Sequence, residues 1–351
     1  MPSASVTIDA SVLAVPPPNG TAGEAYRYIE ALLDWAKLLD KPWIAICMSE
    51  RSSEVLFDAG LYPLHNPLRQ LFSQHGIEEF DVNTVAIVVT RLLMHAPSFE
   101  TYFRVQDVLM EDVSTAPDVL QLCCGNGLQS NLARCLVLIA ILRKHYGEDI
   151  LDHALILRRS PGRSVHVRAL VHAVEHEHDG LDAMLPKPPE YFEGETLVCD
   201  NFPGLLACID EYSVLRNAMD DAGVEIAVRI RLYKSRLERF LQPDWDDVTG
   251  MRIGYRFGEA IRRCCRDAPS SVSASALRAA SEAIDRQNMP AVHALRTGTG
   301  GNDPQRVRQR DNAKAWRRDV DREYHLHYWE TGNSIIEFAS IGIHNDFTIP
   351  E

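Results

Sequence analysis

With 351 residues the chain exceeds a usual single domain, and its 46% apolar content can fill a sizeable core, so two or three globular domains are expected and no long stretch reads as disordered. A formal charge of −13 argues against coating nucleic acid or an anionic membrane over the whole surface. It leaves room for a local basic groove, because exposed charges reach only about 10 Å through salt.

Val6–Val15 reads as a first buried strand, stopped by Pro16, Pro17 and Pro18. From Gly23 to Leu39 the residues Ile29, Leu32, Leu33, Ala36 and Leu39 recur at helical spacing. Trp43–Met48 is a second short strand, and helices follow over Ser52–Ala59, Pro67–Gln74 and Asn83–Met94. The next helix is Leu128–Tyr146, followed by a strand at Ala154–Leu157. Over Ser164–Val174 apolar and polar residues alternate, as on a half-buried strand. Glu175–Asp179 and the prolines Pro186, Pro188 and Pro189 read as an exposed link. Phe202–Met219 is expected to be helical, Val224–Leu232 a strand, and Lys234–Leu241, Tyr255–Arg266 and Ser273–Gln287 helices. Gly298, Gly300, Gly301 and Pro304 mark a flexible loop. Strands at Ala313–Arg318, Tyr324–Trp329 and Ile335–Ile343 then close the chain, the last two joined by a Gly332–Asn333 turn.

Of the eight cysteines none forms a CxxC pair, so neither a zinc knuckle nor a redox motif is implied and reduced thiols are expected. The N-terminus lacks a basic, then apolar, secretory pattern, and the most apolar run, Cys135–Leu142, is too short to span a bilayer. A cytoplasmic protein with no membrane partner is expected.

The densest chemistry lies in the last sixty residues. Arg296, Arg306, Arg308, Arg310, Lys314, Arg317, Arg318 and Arg322 are set against Asp303, Asp311, Asp319 and Asp321, a local positive excess in an acidic chain. On a strand, His325, His327 and Trp329 share one face and Tyr324, Leu326 and Tyr328 the other. Imidazoles and an indole beside guanidinium groups suit an RNA site: rings stack bases, arginine holds phosphate and histidine moves protons near neutral pH. His344 and Asp346 at the end of the next strand can join them. Alternatively the histidines line the solvated face of a hairpin and the arginines pair with the interleaved aspartates.

The stretch Ala313–Trp329, with Ile335–Asp346, resembles the strand succession that ends RelE/YoeB-type messenger-RNA interferases, small toxins that cleave RNA without a metal. The resemblance implies that Arg317 or Arg318 binds the scissile phosphate and that His344 is the late histidine. The family's short carboxyl-terminal tyrosine has no counterpart in Phe347-Thr-Ile-Pro-Glu351, so the acid and base roles stay open among His325, His327 and His344. At the front, Thr7-Ile-Asp9-Ala-Ser-Val-Leu-Ala is similar to the opening strand of PIN-like nucleases, and Ser49-Glu-Arg-Ser-Ser-Glu54 stands where they carry a helical glutamate. That similarity implies a Mg²⁺ or Mn²⁺ site at Asp9 and Glu54, with Asp118 as a third oxygen donor, or else a scaffold whose metal site has eroded. Glu175–Asp179 reads as solvated rather than metal-binding, and the Gly298–Pro304 loop lacks the Lys-Ser/Thr of a phosphate-binding loop.

Together these readings give an α/β protein: a PIN-like domain over 1–185, a mainly helical middle region over 186–290, and a basic, His-rich antiparallel β module over 291–351. The expected activity is endoribonuclease cleavage of RNA or, second, of DNA, with RNA or another single-stranded nucleic acid as partner, as in bacterial toxin or phage-defence systems, restrained by a protein partner or inhibitor. Arg317, Arg318, His325, His327 and His344 are the expected catalytic residues, Arg308, Arg310, Lys314 and Trp329 the substrate contacts, with no cofactor required beyond the implied Mg²⁺ or Mn²⁺. The alternative is a non-catalytic subunit that docks a nuclease, an ATPase or an RNA through its C-terminal module.

Overall fold

In this computed structural model the described residues are 2–351, without 18, 124, 147–149, 179–188, 268–269, 299 and 345. They form two compact units, Met1–Ile209 and Asp210–Glu351, each a mixture of helices and one sheet. The expected boundary at 185/186 lies outside the described residues. Residues 210–290, expected as a separate helical region, and residues 291–351 belong to one compact unit.

The first unit opens with β1 (Ala4–Ile8), every residue of which is buried. The expected strand over Val6–Val15 stops early, because Asp9 accepts a hydrogen bond from Ser11 N and caps α1 (Ala10–Leu13). Helix α2 (Ala22–Leu38) starts in a reciprocal Thr21/Glu24 capping box. β2 (Ile44–Met48), α3 (Ser52–Asp58), α4 (His65–His75), α5 (Val82–His95) and α6 (Phe99–Phe103) follow. The long strand β3 (Val105–Ala116) is an addition to the elements expected from sequence; its burial alternates weakly and bulges break its register. After it come α7 (Asn126–His145), β4 (Ala154–Ile156), β5 (Ser164–His176), β6 (Glu190–Cys199) and α8 (Phe202–Cys208). Glu175 and His176, expected in a link, extend β5, while Asp179 lies outside the described residues.

The sheet order is β2-β1-β4-β6-β5-β3, with β2, β1, β4 and β6 parallel and β5 and β3 antiparallel. From Leu132 to Leu142 nearly every α7 residue is buried, as expected for a helix apolar on all sides. It packs with the inward residues Val165, Val167, Ala169 and Val171 of β5 into one core. Gly194 of β6 permits the close approach, since a Cβ there lies 3.0 Å from Ala140 Cβ. The four parallel strands bring Asp9, Ser49, Leu157 and Asp200 to one carboxyl edge.

The second unit comprises α9 (Glu211–Asn217), α10 (Asp221–Glu238), β7 (Met251–Ile253), α11 (Phe257–Asp267), α12 (Ser270–Ile284), β8 (Val292–Ala294), β9 (Lys314–Asp319), β10 (Tyr324–Glu330) and β11 (Ile336–Ile343). The strand expected over Val224–Leu232 is part of α10. Its alternation coincides with a helical face at Val224, Ala227 and Val228, and Asp220 caps the start by accepting from Gly223 N. The sheet order is β7-β11-β10-β9-β8, parallel only between β7 and β11. No helix among the described residues is long and apolar enough to cross a membrane.

Candidate functional site

Strand register assembles the polar groups of the second unit into rows. His293 of β8 lies opposite Arg317 of β9, Arg317 opposite His327 of β10, and His327 opposite Ser340 of β11. Two residues along, Asp319, His325 and Gly342 form the next row on the same face. Arg318, Leu326 and Ile341 lie on the other face. The expected common face of His325 and His327 is present, and Arg317 and Asp319 share it.

That face is not an open cleft. Residues 346–351 run across it: His327 Nδ1 donates to Thr348 O at 3.1 Å and Trp329 Nε1 to Pro350 O at 2.7 Å. Phe347 and Ile349 pack on the cluster of Leu295, Ala313, Ala315, Trp329 and Ala339. His325 and His327 are buried, and His327 Nε2 has no hydrogen-bond partner among the described residues. Burial pushes the His325 imidazole down to about 4, against the opposing pull of Asp319, and pushes His327 down as well. Both rings are therefore neutral at pH 7.

The His325–His344 contact links this buried face to solvent. His325 Nε2 is 2.6 Å from Nδ1 of the exposed His344, and His325 Nδ1 is 3.0 Å from Asp319 Oδ1 without the alignment of a hydrogen bond. The His325–His344 bond can run in either direction, and one of the two leaves an exposed base. In that one His325 turns Nδ1–H toward Asp319, His344 donates Nδ1–H to His325 Nε2, and His344 Nε2 is left with its lone pair. His293 Nε2 stands 3.5 Å from Asp319 Oδ2. Arg317 has no hydrogen bond or ion pair among the described residues, and its guanidinium lies 5.7 Å from the Phe347 ring centroid.

The other expected contacts hold the unit together. Arg318 is fully buried, paired with Glu282 of α12 and donating to Gln287 O at 2.9 Å, so it is no phosphate ligand. Arg308 is 1% exposed, bonded to Asp311 at 2.6 Å and Glu337 at 2.5 Å, and stacked 5.1 Å from the centroid of the buried Trp329. Neither Arg308 nor Trp329 is open to a substrate. Arg310 is exposed and 3.4 Å from Glu337, and Lys314 is exposed at the far end of β9. Asp319, which the sequence suggested only as a counter-charge, meets His325 through cross-strand register, which a single strand's pattern does not report.

In the first unit the three expected metal ligands are dispersed. Asp9 is buried, with Oδ2 accepting from Ser11 N and Oγ and Oδ1 unpartnered; burial raises its carboxyl to about 6 despite the Ser11 bonds. Glu54 is exposed on α3, and Asp118 is exposed with Oδ1 accepting from Leu120 N at 3.2 Å. Among the described residues no three His, Cys, Asp or Glu side chains are grouped to hold a metal ion. The acidic groups that do converge surround the buried Arg134 of α7, whose guanidinium reaches Glu100 at 2.5 Å, Asp107 at 2.7 Å and Glu50 at 3.9 Å. Ser49 Oγ donates to Glu100 at 3.0 Å. This network went unanticipated, although an arginine inside the apolar run of α7 is its one local sign. No protein-family model, curated protein or solved structure matches this chain.

Proposed function

We propose that the second unit carries a metal-independent RNA-cleaving site centred on His344. The observation that carries this reading is the 2.6 Å contact from His325 Nε2 to His344 Nδ1, backed by Asp319 and opening at an exposed ring. In this reading His344 Nε2 takes the proton of an RNA 2′-hydroxyl, whose oxygen attacks the adjacent phosphorus. The 5′-oxygen leaves and takes a proton from water, giving a 2′,3′-cyclic phosphate and a 5′-hydroxyl end. His325 and Asp319 act as positioning residues that hold His344 in the basic tautomer. Arg317, with no internal carboxylate partner, is the cation for the phosphate. The reading keeps the RelE/YoeB-like assignment at Arg317 and His344, moves Arg318 to a structural role, and implies a protein inhibitor, since unrestrained RNA cleavage is toxic to the cell. The test is incubation of the full chain with an end-labelled RNA and with the same oligonucleotide carrying 2′-deoxyriboses. Cyclic-phosphate ends from RNA alone, lost in His344→Ala, support the site; equal cutting of both oligonucleotides sinks it.

A second reading has its own observation. Glu50, Glu100 and Asp107 converge on Arg134 rather than on one another, which suits an eroded PIN-like scaffold used for docking an RNA, a nuclease or an ATPase. Retained RNA binding with no cleavage under any metal condition favours this reading.

A further inference from the structure

We infer that the first unit binds a nucleoside phosphate at the carboxyl edge of its parallel strands. In the order β2-β1-β4-β6 the chain leaves β1 toward β2 on one side and later returns to β4 on the other, so the crevice beyond the carboxyl ends of β1 and β4 is a topological switch point. Such crevices are where open α/β sheets receive ligands. A cavity of about 690 Å³ lies there, walled by the β1–α2 connection, one face of α2 and the residues that follow β4 and β6. Its size falls within the roughly 300–1,000 Å³ of small-molecule sites.

The lining suits a ring that carries a phosphate. Phe202 supplies a half-buried ring, while the buried Tyr28 and Trp35 of α2 form the apolar floor, Tyr28 anchored through its hydroxyl to Leu13 O at 2.9 Å. Arg158, directly after β4, is half-buried; it donates to Ala14 O at 2.9 Å and lies 5.6 Å from the Tyr28 ring centroid, so its guanidinium is held in place at the wall. Arg27 lines the same space with no hydrogen bond or ion pair from its side chain among the described residues. Carboxylates line it too, but most are engaged internally: Glu24 in the α2 capping box and with Arg159, Asp200 by Ser160 N and Asn201 Nδ2, Asp34 by Lys37. The Glu30 side chain in this wall has no hydrogen bond or ion pair among the described residues, and a carboxylate accepts hydrogen bonds from sugar hydroxyls. Phe202 for the base, Glu30 for the ribose and Arg27 with Arg158 for the phosphate match the three parts of a nucleotide. The inference is independent of the RNA-cleaving site in the second unit.

The experiment is calorimetric titration of the full chain with AMP, ADP, ATP, GMP and CMP, alongside adenosine and inorganic phosphate. At least one nucleotide is expected to bind saturably, with adenosine and phosphate each weaker by about tenfold or more, because each lacks part of the contact set. Arg27→Ala, at an exposed position that bonds to nothing internally, is expected to weaken that nucleotide by about tenfold while the melting temperature stays unchanged. No saturable binding of any nucleotide at millimolar concentration, phosphate alone binding as tightly, or undiminished binding in Arg27→Ala overturns the inference.

Discussion

Two buried titratable groups pull stability in opposite directions with pH. His325 falls from an ordinary value near 6.5 to about 4 on folding, through burial. Between those values the unfolded chain holds the proton and the folded one does not, so stability is lost as pH falls from about 6.5 to 4. Urea unfolding at pH 7 and pH 4.5 is expected to show a loss on the order of 2 kcal/mol in the second unit from this group. Asp9 rises from 3.8 to about 6, so its folded form holds the proton longer and its ionisation opposes folding as pH rises from 4 to 6. Asp9→Asn is therefore expected to stabilise the first unit at pH 7 relative to pH 4, by on the order of 2 kcal/mol. An equal effect at both pH values contradicts the assigned cause. Arg134→Met leaves Glu100 buried without its cation, and the expected cost in denaturant unfolding is about 3–5 kcal/mol, smaller when Glu100→Gln accompanies it.

At the level of elements, residues 346–351 decide what the β10 histidines can do. Removing the Phe347 and Ile349 side chains (Phe347→Ala with Ile349→Ala) is expected to cost about 2–3 kcal/mol, since both pack only partly buried on the Trp329 cluster. The same variant lifts the burial that holds His327 down, so its imidazole signals in an NMR titration should move to higher pH. Unmoved signals mean that something other than this segment buries the ring. Much of the site's local pattern was readable in the chain. Alternation put His325, His327 and Trp329 on one face, and the three closing strands lie where their β-branched and aromatic runs predict. Register and cover were not readable, because Asp319 meets His325 only through β9–β10 pairing, and no strand pattern reports that Thr348 and Pro350 return across that face. Val224–Leu232 misled for a related reason: a two-residue alternation within a longer amphipathic helix cannot reveal its own period.

On the scale of the molecule, the strand–helix–strand order at the front pointed to an α/β chain, and the described residues form two compact units, each mixing helices with one sheet. The arginine excess of the last sixty residues was visible as a count but not as a field, since Arg308 and Arg318 are neutralised inside the fold. A shallow salt dependence of RNA binding follows. With Arg317 as the proposed phosphate cation, the slope of log K against log salt is expected to be about −1 to −2. Arg317→Ala should reduce it by about one. A slope as steep as that of proteins with many phosphate contacts would mean that another surface binds the RNA.

The central claim is tested most directly by cleavage of labelled RNA by the full chain with EDTA, Mg²⁺ and Mn²⁺ in parallel, comparing the wild type with Arg317→Ala, His344→Ala and Asp9→Asn. The account predicts cleavage that survives EDTA, falls by about a hundredfold or more in Arg317→Ala and His344→Ala, and persists in Asp9→Asn. Cleavage that requires metal and disappears in Asp9→Asn would contradict it and place the chemistry in the first unit.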